Sequence, residues 1–145
     1  MENVVISKTK MMIVMRRDLK MRKGKIAAQA AHACVDVIMK ASKKDNLIYD
    51  YDETLDTVII KGVEKKNNFL VDWFQHGCTK VCVYVDSEAQ LLDLSKKATE
   101  RCVLSTIITD AGITEFHGVP TKTCLALEPL PCDIADELTG HLKLY

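Results

Sequence analysis

Residues 20–36, KMRKGKIAAQAAHACVD, hold a basic run, one glycine and the start of a long alanine-rich segment. They follow a short apolar run, MMIVM, at residues 11–15. An apolar run, a basic loop and an alanine-rich segment in this order predict a strand, a loop and a helix. The first N–H groups of a helix have no partner within it, and the helix dipole is positive at that end. The lysines beside Gly24 therefore favour a bound anion, such as phosphate, at the start of this helix.

The predicted helix has two faces. Steps of four, three and four residues place its polar side chains in one stripe, which consists of Lys25, Gln29, His32 and Asp36. Apolar side chains occupy the other face, which we expect to pack on a sheet: Ile26, Ala27, Ala30, Cys34, Val37 and Ile38. The polar stripe is then displayed away from the sheet. A solvated amphipathic helix gives the same pattern, and the lysine close to a glycine at the helix start is what favours a binding site.

Composition indicates one folded domain over residues 1–145, of which 48% are hydrophobic. No apolar run is long enough to span a bilayer, and the N-terminus lacks a signal-peptide pattern. Six cysteines, none in a Cys-x-x-Cys pair, fall in several cases inside apolar runs such as VCV at 81–83. We expect reduced thiols in a cytoplasmic protein without a membrane segment, and neither a disulfide framework nor a metal site.

The net charge of zero hides an asymmetry along the chain. Residues 1–44 hold 11 lysines and arginines against three acids, a net charge of +8, whereas residues 45–145 hold nine against 17, a net charge of −8. A basic segment of this kind favours nucleic acid as a partner. Neutralisation of one half by the other across the fold is the alternative.

Apolar runs and helical spacing predict strands and helices in alternation. Strands are expected at 10–16, 79–85, 102–109 and 123–128, and helices at 23–42, 65–76, 86–100 and 131–138. Helices connect the first three strands, which can therefore be parallel, whereas a loop leads to the fourth and favours an antiparallel strand there. The predicted fold class is α/β, a three-layer domain with a four-stranded mixed β-sheet flanked by helices on both faces.

Residues 45–63 combine an acidic, turn-like stretch with the β-like run TVII, and both a flexible loop and a small strand at the sheet edge remain open for them. In the helix expected at 65–76, Asn67 or Asn68 is placed to cap the start, and the aromatic side chains at helical spacing are expected in the core.

A second candidate for chemistry is the stretch DAGIT at residues 110–114, which directly follows the third predicted strand. Ligands of open α/β sheets bind at the carboxyl ends of the strands. If the first and third strands are parallel, Lys25 and Asp110 lie at the same edge of the sheet. An Asp-Ala-Gly turn without a catalytic role is the alternative, because Asp before Gly is common in turns. Thr114 and Thr123 taken alone are only polar loop and strand-edge residues.

Three motifs together carry a resemblance to a known family. KMRKGKIAAQAAHA at 20–33, DAG followed by Thr114, and TGHLKLY at 139–145 occur in this order, and the chain resembles the archaeal and eukaryotic class of peptidyl-tRNA hydrolase from about residue 10 to its end. The resemblance implies a compact α/β domain, commonly a homodimer, that cleaves the ester between a peptide and the tRNA ribose without a metal or organic cofactor. The residues it carries over are Lys25, Asp110, Thr114 and Thr123, and His32 and Gln29 match the family's helix pattern.

The sequence departs from the family pattern at two places. Residues 45–63 are an apparent insertion after the first helix. The segment GVPTKT at 118–123 has one residue more than the family's Pro-Gly-Ser/Thr-x-Thr, so that either Thr121 or Thr123 can take the place of the family's last threonine.

The expected chemistry is attack on the ester by water, because no Ser–His–Asp pattern and no exposed reactive thiol is evident. Asp110 orients or deprotonates the water, Lys25 stabilises the oxyanion or a phosphate, and Thr114 binds the water or the substrate. His32 is a weaker candidate for the base. The residues expected to hold tRNA are Arg16, Arg17, Lys20, Arg22, Lys23 and Gln29.

Two other functions remain open. A non-catalytic module would use the basic loop to bind RNA or a protein and would need Asp110 only as a turn residue. A hydrolase of another activated acyl ester would use the same residues on a different substrate.

Overall fold

The computed structural model describes residues 8–62 and 69–145. In chain order the elements are β1 (Thr9–Arg16), α1 (Lys23–Lys44), β2 (Ile48–Asp52), β3 (Thr57–Lys61), α2 (Phe69–Gln75), β4 (Lys80–Val85), α3 (Glu88–Glu100), β5 (Ser105–Asp110), β6 (Thr121–Leu127), β7 (Leu130–Pro131) and α4 (Cys132–Thr139). Within these ranges, no helix combines the length and the apolar character that a bilayer crossing requires.

A mixed sheet in the order β4-β1-β6-β5 forms the centre of the fold, and the short β7 pairs with the start of β1. β1 is parallel to β4, and β6 is antiparallel to both β1 and β5. β1 and β5 therefore run in the same direction, and their carboxyl ends lie at one edge. The α/β class and the antiparallel fourth strand are confirmed. The predicted four strands become five because β7 is two residues long, too short for a sequence pattern to reveal.

Helices cover both faces of this sheet, which makes three layers. On β1, Met12 and Val14 contact the core that α3 and α4 share, whereas Met11, Ile13 and Met15 contact the core beneath α1 and α2. Successive side chains of a strand point to opposite faces. A strand that is covered on both faces is therefore apolar at every position, as the MMIVM run is.

The boundaries of the other elements shift by a few residues from those predicted. β5 begins at Ser105 rather than at residue 102, because the preceding residues still complete the turn after α3. Cys102 has a φ of 56° there, and the N–H of Val103 bonds back to the carbonyl of Ala98 at 2.8 Å. α2 is described from Phe69 to Gln75, and the predicted start of that helix with its caps Asn67 and Asn68 lies outside the described residues. Trp73 of α2 is 2% exposed, as expected for a core residue.

The described part of segment 45–63 forms a β-hairpin. β2 and β3 pair with each other from Ile48–Lys61 to Asp52–Thr57 and belong to no larger sheet. The Tyr49 hydroxyl lies 2.6 Å from the hydroxyl of Ser42 on α1, and the Tyr49 ring meets Phe74 of α2 edge-on at 6.3 Å. The segment is therefore neither a flexible loop nor an edge strand of the main sheet, but a separate hairpin attached to α1 and α2.

The rotation of α1 differs from the one predicted for its polar stripe. Gln29 is only 6% exposed, and Asp36 and Lys40 both bond to the hydroxyl of Thr106 on β5. The stripe faces β5 and β6 because those strands carry polar side chains towards the helix. The expectation that the whole stripe is displayed away from the sheet is therefore wrong. Among the four residues of the stripe, only His32 is exposed to solvent.

Candidate active site

The Lys25 and Asp110 side chains meet at the edge where β1 and β5 end. α1 begins seven residues after β1 and places Lys25 in its first turn, and Asp110 is the last residue of β5. Lys25 Nζ lies 2.7 Å from Asp110 Oδ1, with the two side chains 17% and 15% exposed. The predicted meeting of a cation and a carboxylate at this edge is therefore present, in a partly sheltered position.

The turn after β5 holds the Asp110 carboxylate from its other side. The Gly112 N–H donates to Asp110 Oδ2 at 2.9 Å. Gly112 has a φ of +80°, and a Cβ built there would lie 2.2 Å from the carbonyl oxygen of Val119. Only glycine suits both the backbone conformation and this close approach, so the Asp-Ala-Gly sequence is required to aim the carboxylate.

These contacts lower the pKa of Asp110 below its ordinary value. The hydrogen bond from the Lys25 ammonium is the largest cause, the Gly112 N–H adds to it, and partial burial opposes both. Asp110 is therefore ionised throughout the neutral range and acts as a hydrogen-bond acceptor.

Gln29 and Thr123 lie beneath this pair. The Thr123 hydroxyl donates to Gln29 Oε1 at 2.5 Å, and Gln29 Nε2 lies 3.4 Å from Asp110 Oδ1. Thr123 is 0% exposed, whereas the hydroxyl of Thr121 bonds to the carbonyl of Val119. Thr121 pairs with Asp110 through the backbone of the β5–β6 ladder, whereas the side chain of Thr123 is connected to the Asp110 carboxylate through Gln29.

The loop after Gly112 forms the outer side of the site. Lys25 Nζ lies 3.2 Å from the hydroxyl of the exposed Thr114, and 5.9 Å from the centre of the Phe116 ring. An ammonium group has three donors. With Asp110 and Thr114 accepting two of them, one donor of Lys25 is left for a substrate oxygen.

His32 lies two turns of α1 beyond Lys25, about 10 Å along the helix axis. Its ring is exposed, and among the described residues no hydrogen bond joins it to Lys25 or Asp110. The geometry gives no support to a role as the base.

The predicted tRNA-binding residues separate into buried and exposed ones. Arg16 is 9% exposed, and its guanidinium bonds to the Asp18 carboxylate and to the carbonyl of Lys122. Gln29 is buried, as described above. Neither side chain can reach a phosphate without breaking internal hydrogen bonds, which the sequence pattern did not reveal.

The exposed cations lie between the end of β1 and the first residue of α1. Arg17 stacks 3.8 Å over the Tyr84 ring and bonds to Asp86. Lys20 and Lys23 are exposed, and the side chain of Arg22 is 86% exposed. These four residues are called the basic loop below.

Sequence reasoning missed Glu115, which lies 3.6 Å from Arg22 and is 16% exposed. An acid in the loop after Asp-Ala-Gly carries no pattern that would connect it to the basic loop. Its position places a negative charge next to the cation that is best exposed for a phosphate.

The cysteine side chains offer no activated thiol near this site. Burial raises the pKa of Cys34, Cys82 and Cys124, that of Cys124 to about 11. All six thiols are free, and Cys102 is exposed, so the expectation of core thiols does not hold for every one. Within the described ranges, no three His, Cys, Asp or Glu side chains form a group that could hold a metal ion.

Comparison with known proteins identifies the family. The family model described as Peptidyl-tRNA hydrolase PTH2 matches residues 9–145. A protein named peptidyl-tRNA hydrolase from Sulfurisphaera tokodaii is 37% identical over 94% of this chain and 98% of its own length, and one from Thermococcus onnurineus is 35% identical over 93% and 96%. A probable peptidyl-tRNA hydrolase 2 from Drosophila melanogaster is 36% identical over 93% of this chain and 61% of its own length.

A solved structure of an Agrobacterium protein of unknown function shares the fold. It covers 97% of this chain and 99% of its own with a TM-score of 0.56, at 13% identity. This likeness concerns the architecture alone, whereas the sequence matches cover nearly all of the chain, the segment with Lys25, Asp110 and Thr114 included. The chain belongs to the peptidyl-tRNA hydrolase PTH2 family.

Proposed function

We propose that the protein hydrolyses the ester between a peptide and the tRNA ribose by direct attack of water, with Asp110 orienting the water and the neighbouring Lys25 stabilising the oxyanion. The observation that carries this is the contact of 2.7 Å between the two side chains at the sheet edge, in a chain whose family is peptidyl-tRNA hydrolase.

Asp110 has room for one more hydrogen bond. A carboxylate has about four lone-pair positions. Lys25 and Gln29 occupy Oδ1, and Gly112 occupies one position on Oδ2. The remaining position on Oδ2 is the one at which a water would donate. Because its pKa is lowered, Asp110 is a weak base that mainly orients the water and accepts its proton as the new bond forms.

Ester cleavage then takes place through a tetrahedral intermediate. The water oxygen bonds to the ester carbonyl carbon, and the third donor of Lys25 stabilises the oxyanion that develops. The carbon–oxygen bond to the ribose then breaks, and the proton taken from water passes to the ribose oxygen. The products are free tRNA and a peptide with a terminal carboxylic acid, which loses the second water proton to the solvent at neutral pH. Thr114, bonded to Lys25, is placed to fix the ammonium and to contact the substrate.

The exposed members of the basic loop are proposed to hold the tRNA phosphates, together with the first N–H groups of α1. Arg22 caps this helix without a side-chain hydrogen bond, and no acid lies in its first turn. The helix dipole therefore adds to the positive charge. Arg16 and Gln29 are left out of this surface because their polar groups are used internally.

We further propose that the protein works as a homodimer in the cytoplasm. Val35 and Met39 on α1 are 59% and 66% exposed, and apolar side chains of this kind favour contact with another copy. Sedimentation at increasing protein concentration tests this, and a monomer at every concentration contradicts it.

A release assay with purified N-acetylaminoacyl-tRNA tests the function. We expect the protein to release deacylated tRNA and the acetylated amino acid, and bare tRNA to compete. Binding of tRNA without release would indicate a non-catalytic module. Release that bare tRNA does not inhibit, together with equal activity on simple activated esters, would indicate a different acyl-ester hydrolase.

A further inference from the structure

We infer that Gln29 and Thr123 are positioning residues for Asp110, and that a bulge in β6 turns the Thr123 side chain towards Gln29. The inference deepens the proposed function and rests on the role that it gives to Asp110. It assigns Thr123 an action through another side chain rather than contact with the substrate, because Thr123 is 0% exposed.

The bulge lies at the point where β5 and β6 approach the active site. The register pairs Ile108 with Cys124 and then Thr109 with Lys122, so Thr123 has no partner on β5. Neighbouring residues of a regular strand point to opposite faces. Here the Thr123 hydroxyl contacts the Gln29 side chain while the Cys124 thiol points to the Gln29 carbonyl at 3.5 Å. Both consecutive side chains therefore face α1, a change of direction that an extra residue in a strand provides.

Thr123 determines which end of the Gln29 amide faces Asp110. The hydroxyl has one proton, and it lies 2.5 Å from Gln29 Oε1 but 3.4 Å from the carbonyl of Ile108. Donation to Gln29 keeps the amide oxygen towards β6 and turns Nε2 towards Asp110 Oδ1. The flipped amide would place its oxygen 3.4 Å from the carboxylate, where two acceptors repel.

Asp110 is thereby held from three directions. Lys25 and Gln29 donate to Oδ1 and Gly112 donates to Oδ2. These donors fix the plane of the carboxylate, so the unoccupied lone pair of Oδ2 points in one direction. Without the Thr123 hydroxyl, the orientation of the amide is no longer fixed, and Gln29 Nε2 no longer faces Asp110 Oδ1.

The test compares Thr123→Val, which removes the hydroxyl at nearly constant shape, with Thr123→Ser, which keeps it. We follow the titration of the Asp110 carboxyl carbon by NMR and the pH profile of kcat. In Thr123→Val the pKa of Asp110 and the acid limb of the profile should rise, because the carboxylate loses the donor that Gln29 turns towards it. The value of kcat at neutral pH should fall about tenfold with little change in KM. Thr123→Ser should restore both.

Controls separate positioning from general destabilisation. Thr139 of α4 is also buried, and its hydroxyl bonds to the carbonyl of Ala135, so Thr139→Val should cost stability without moving the titration of Asp110. If Thr123→Val does not fold, Gln29→Met removes the donor itself while keeping a side chain of similar size, and it should shift the titration in the same direction.

Two outcomes are distinguishable from each other. An unshifted Asp110 titration in both Thr123→Val and Gln29→Met would overturn the positioning role. A shifted titration with unchanged kcat would overturn the part of the inference that connects this positioning to catalysis. Failure of the proposed function would appear separately, as an absence of release by the wild-type protein.

Discussion

Lys25 Nζ and Asp110 Oδ1 lie 2.7 Å apart although 85 positions separate the two residues in the chain. The contact arises because β1 and β5 run in the same direction on either side of the antiparallel β6, which brings the residues following both strands to one edge. Each partner changes the chemistry of the other: the ammonium keeps the carboxylate ionised, and the carboxylate orients the ammonium.

Lys25→Met should remove both the oxyanion donor and the main cause of the lowered pKa of Asp110. We expect kcat to fall by about 10²-fold or more and the acid limb of the pH profile to move to higher pH. Lys97, which pairs with Asp93 on α3, supplies the matched control Lys97→Met, for which no change is expected. An acid limb at the wild-type pH in Lys25→Met would show that Lys25 does not act on Asp110.

The same variant should change how stability depends on pH. Because the folded-state pKa of Asp110 is below its unfolded value of about 3.9, the ionised carboxylate contributes stability that is fully present above that value and is lost as pH falls through the folded pKa. The free energy of unfolding in urea should therefore fall less between pH 6 and pH 3 in Lys25→Met than in the wild type. Equal losses would contradict the assigned cause of the shift.

Gly112→Ala should damage both the fold and the site. The backbone at residue 112 has a φ of +80°, and an added Cβ would collide with the Val119 carbonyl. We expect a loss of about 2–4 kcal/mol of stability together with loss of activity. Gly118 has a φ of +77° and nothing within 4 Å of an added Cβ, so Gly118→Ala should cost only about 1–2 kcal/mol. Urea unfolding midpoints measure both. Equal costs would exclude the contact with Val119 as the reason for glycine at 112.

The basic loop should determine the salt dependence of tRNA binding. The double variant Arg22→Ala with Lys23→Ala should weaken binding and make the slope of log K against log salt shallower by about 1–2. A pair of cations on the opposite face, Lys96 and Lys97, gives a control with the same loss of charge. If both pairs change the slope equally, net charge rather than a local surface governs binding.

Glu115→Gln should strengthen tRNA binding. The acid lies 3.6 Å from Arg22 and competes with a phosphate for that guanidinium, so its neutralisation should raise affinity severalfold at low salt, a gain of about 1 kcal/mol. Filter binding or fluorescence anisotropy measures this. Unchanged or weaker binding would place the phosphates away from Arg22.

The sequence predicted the parts of this site that depend on strand order. A helix beginning after the first strand and an Asp-Ala-Gly turn ending the third suffice to place Lys25 and Asp110 together, because carboxyl ends of parallel strands share an edge. The helix-free loop before the fourth predicted strand indicated that this strand is antiparallel, but its place between β1 and β5 was not predicted.

Features that depend on tertiary packing could not be predicted in this way. The rotation of α1 follows from the polar side chains of β5 and β6, such as Thr106, which are not recognisable as partners before the strands are assembled. The bulge at Thr123 has no recognisable pattern in the sequence, because it depends on how β6 pairs with β5. The β2–β3 hairpin was hidden because its acidic first strand resembles a turn.

The most direct test of the proposed function is single-turnover release from N-acetylaminoacyl-tRNA by Asp110→Asn, with the tRNA dissociation constant measured on the same preparation. Asparagine keeps the shape of the side chain but cannot accept the proton of the attacking water. We expect release to slow by about 10²-fold or more while the dissociation constant is unchanged, and Asp133→Asn on α4 to behave as the wild type. Release at the wild-type rate by Asp110→Asn would contradict the assignment of Asp110 to the chemical step.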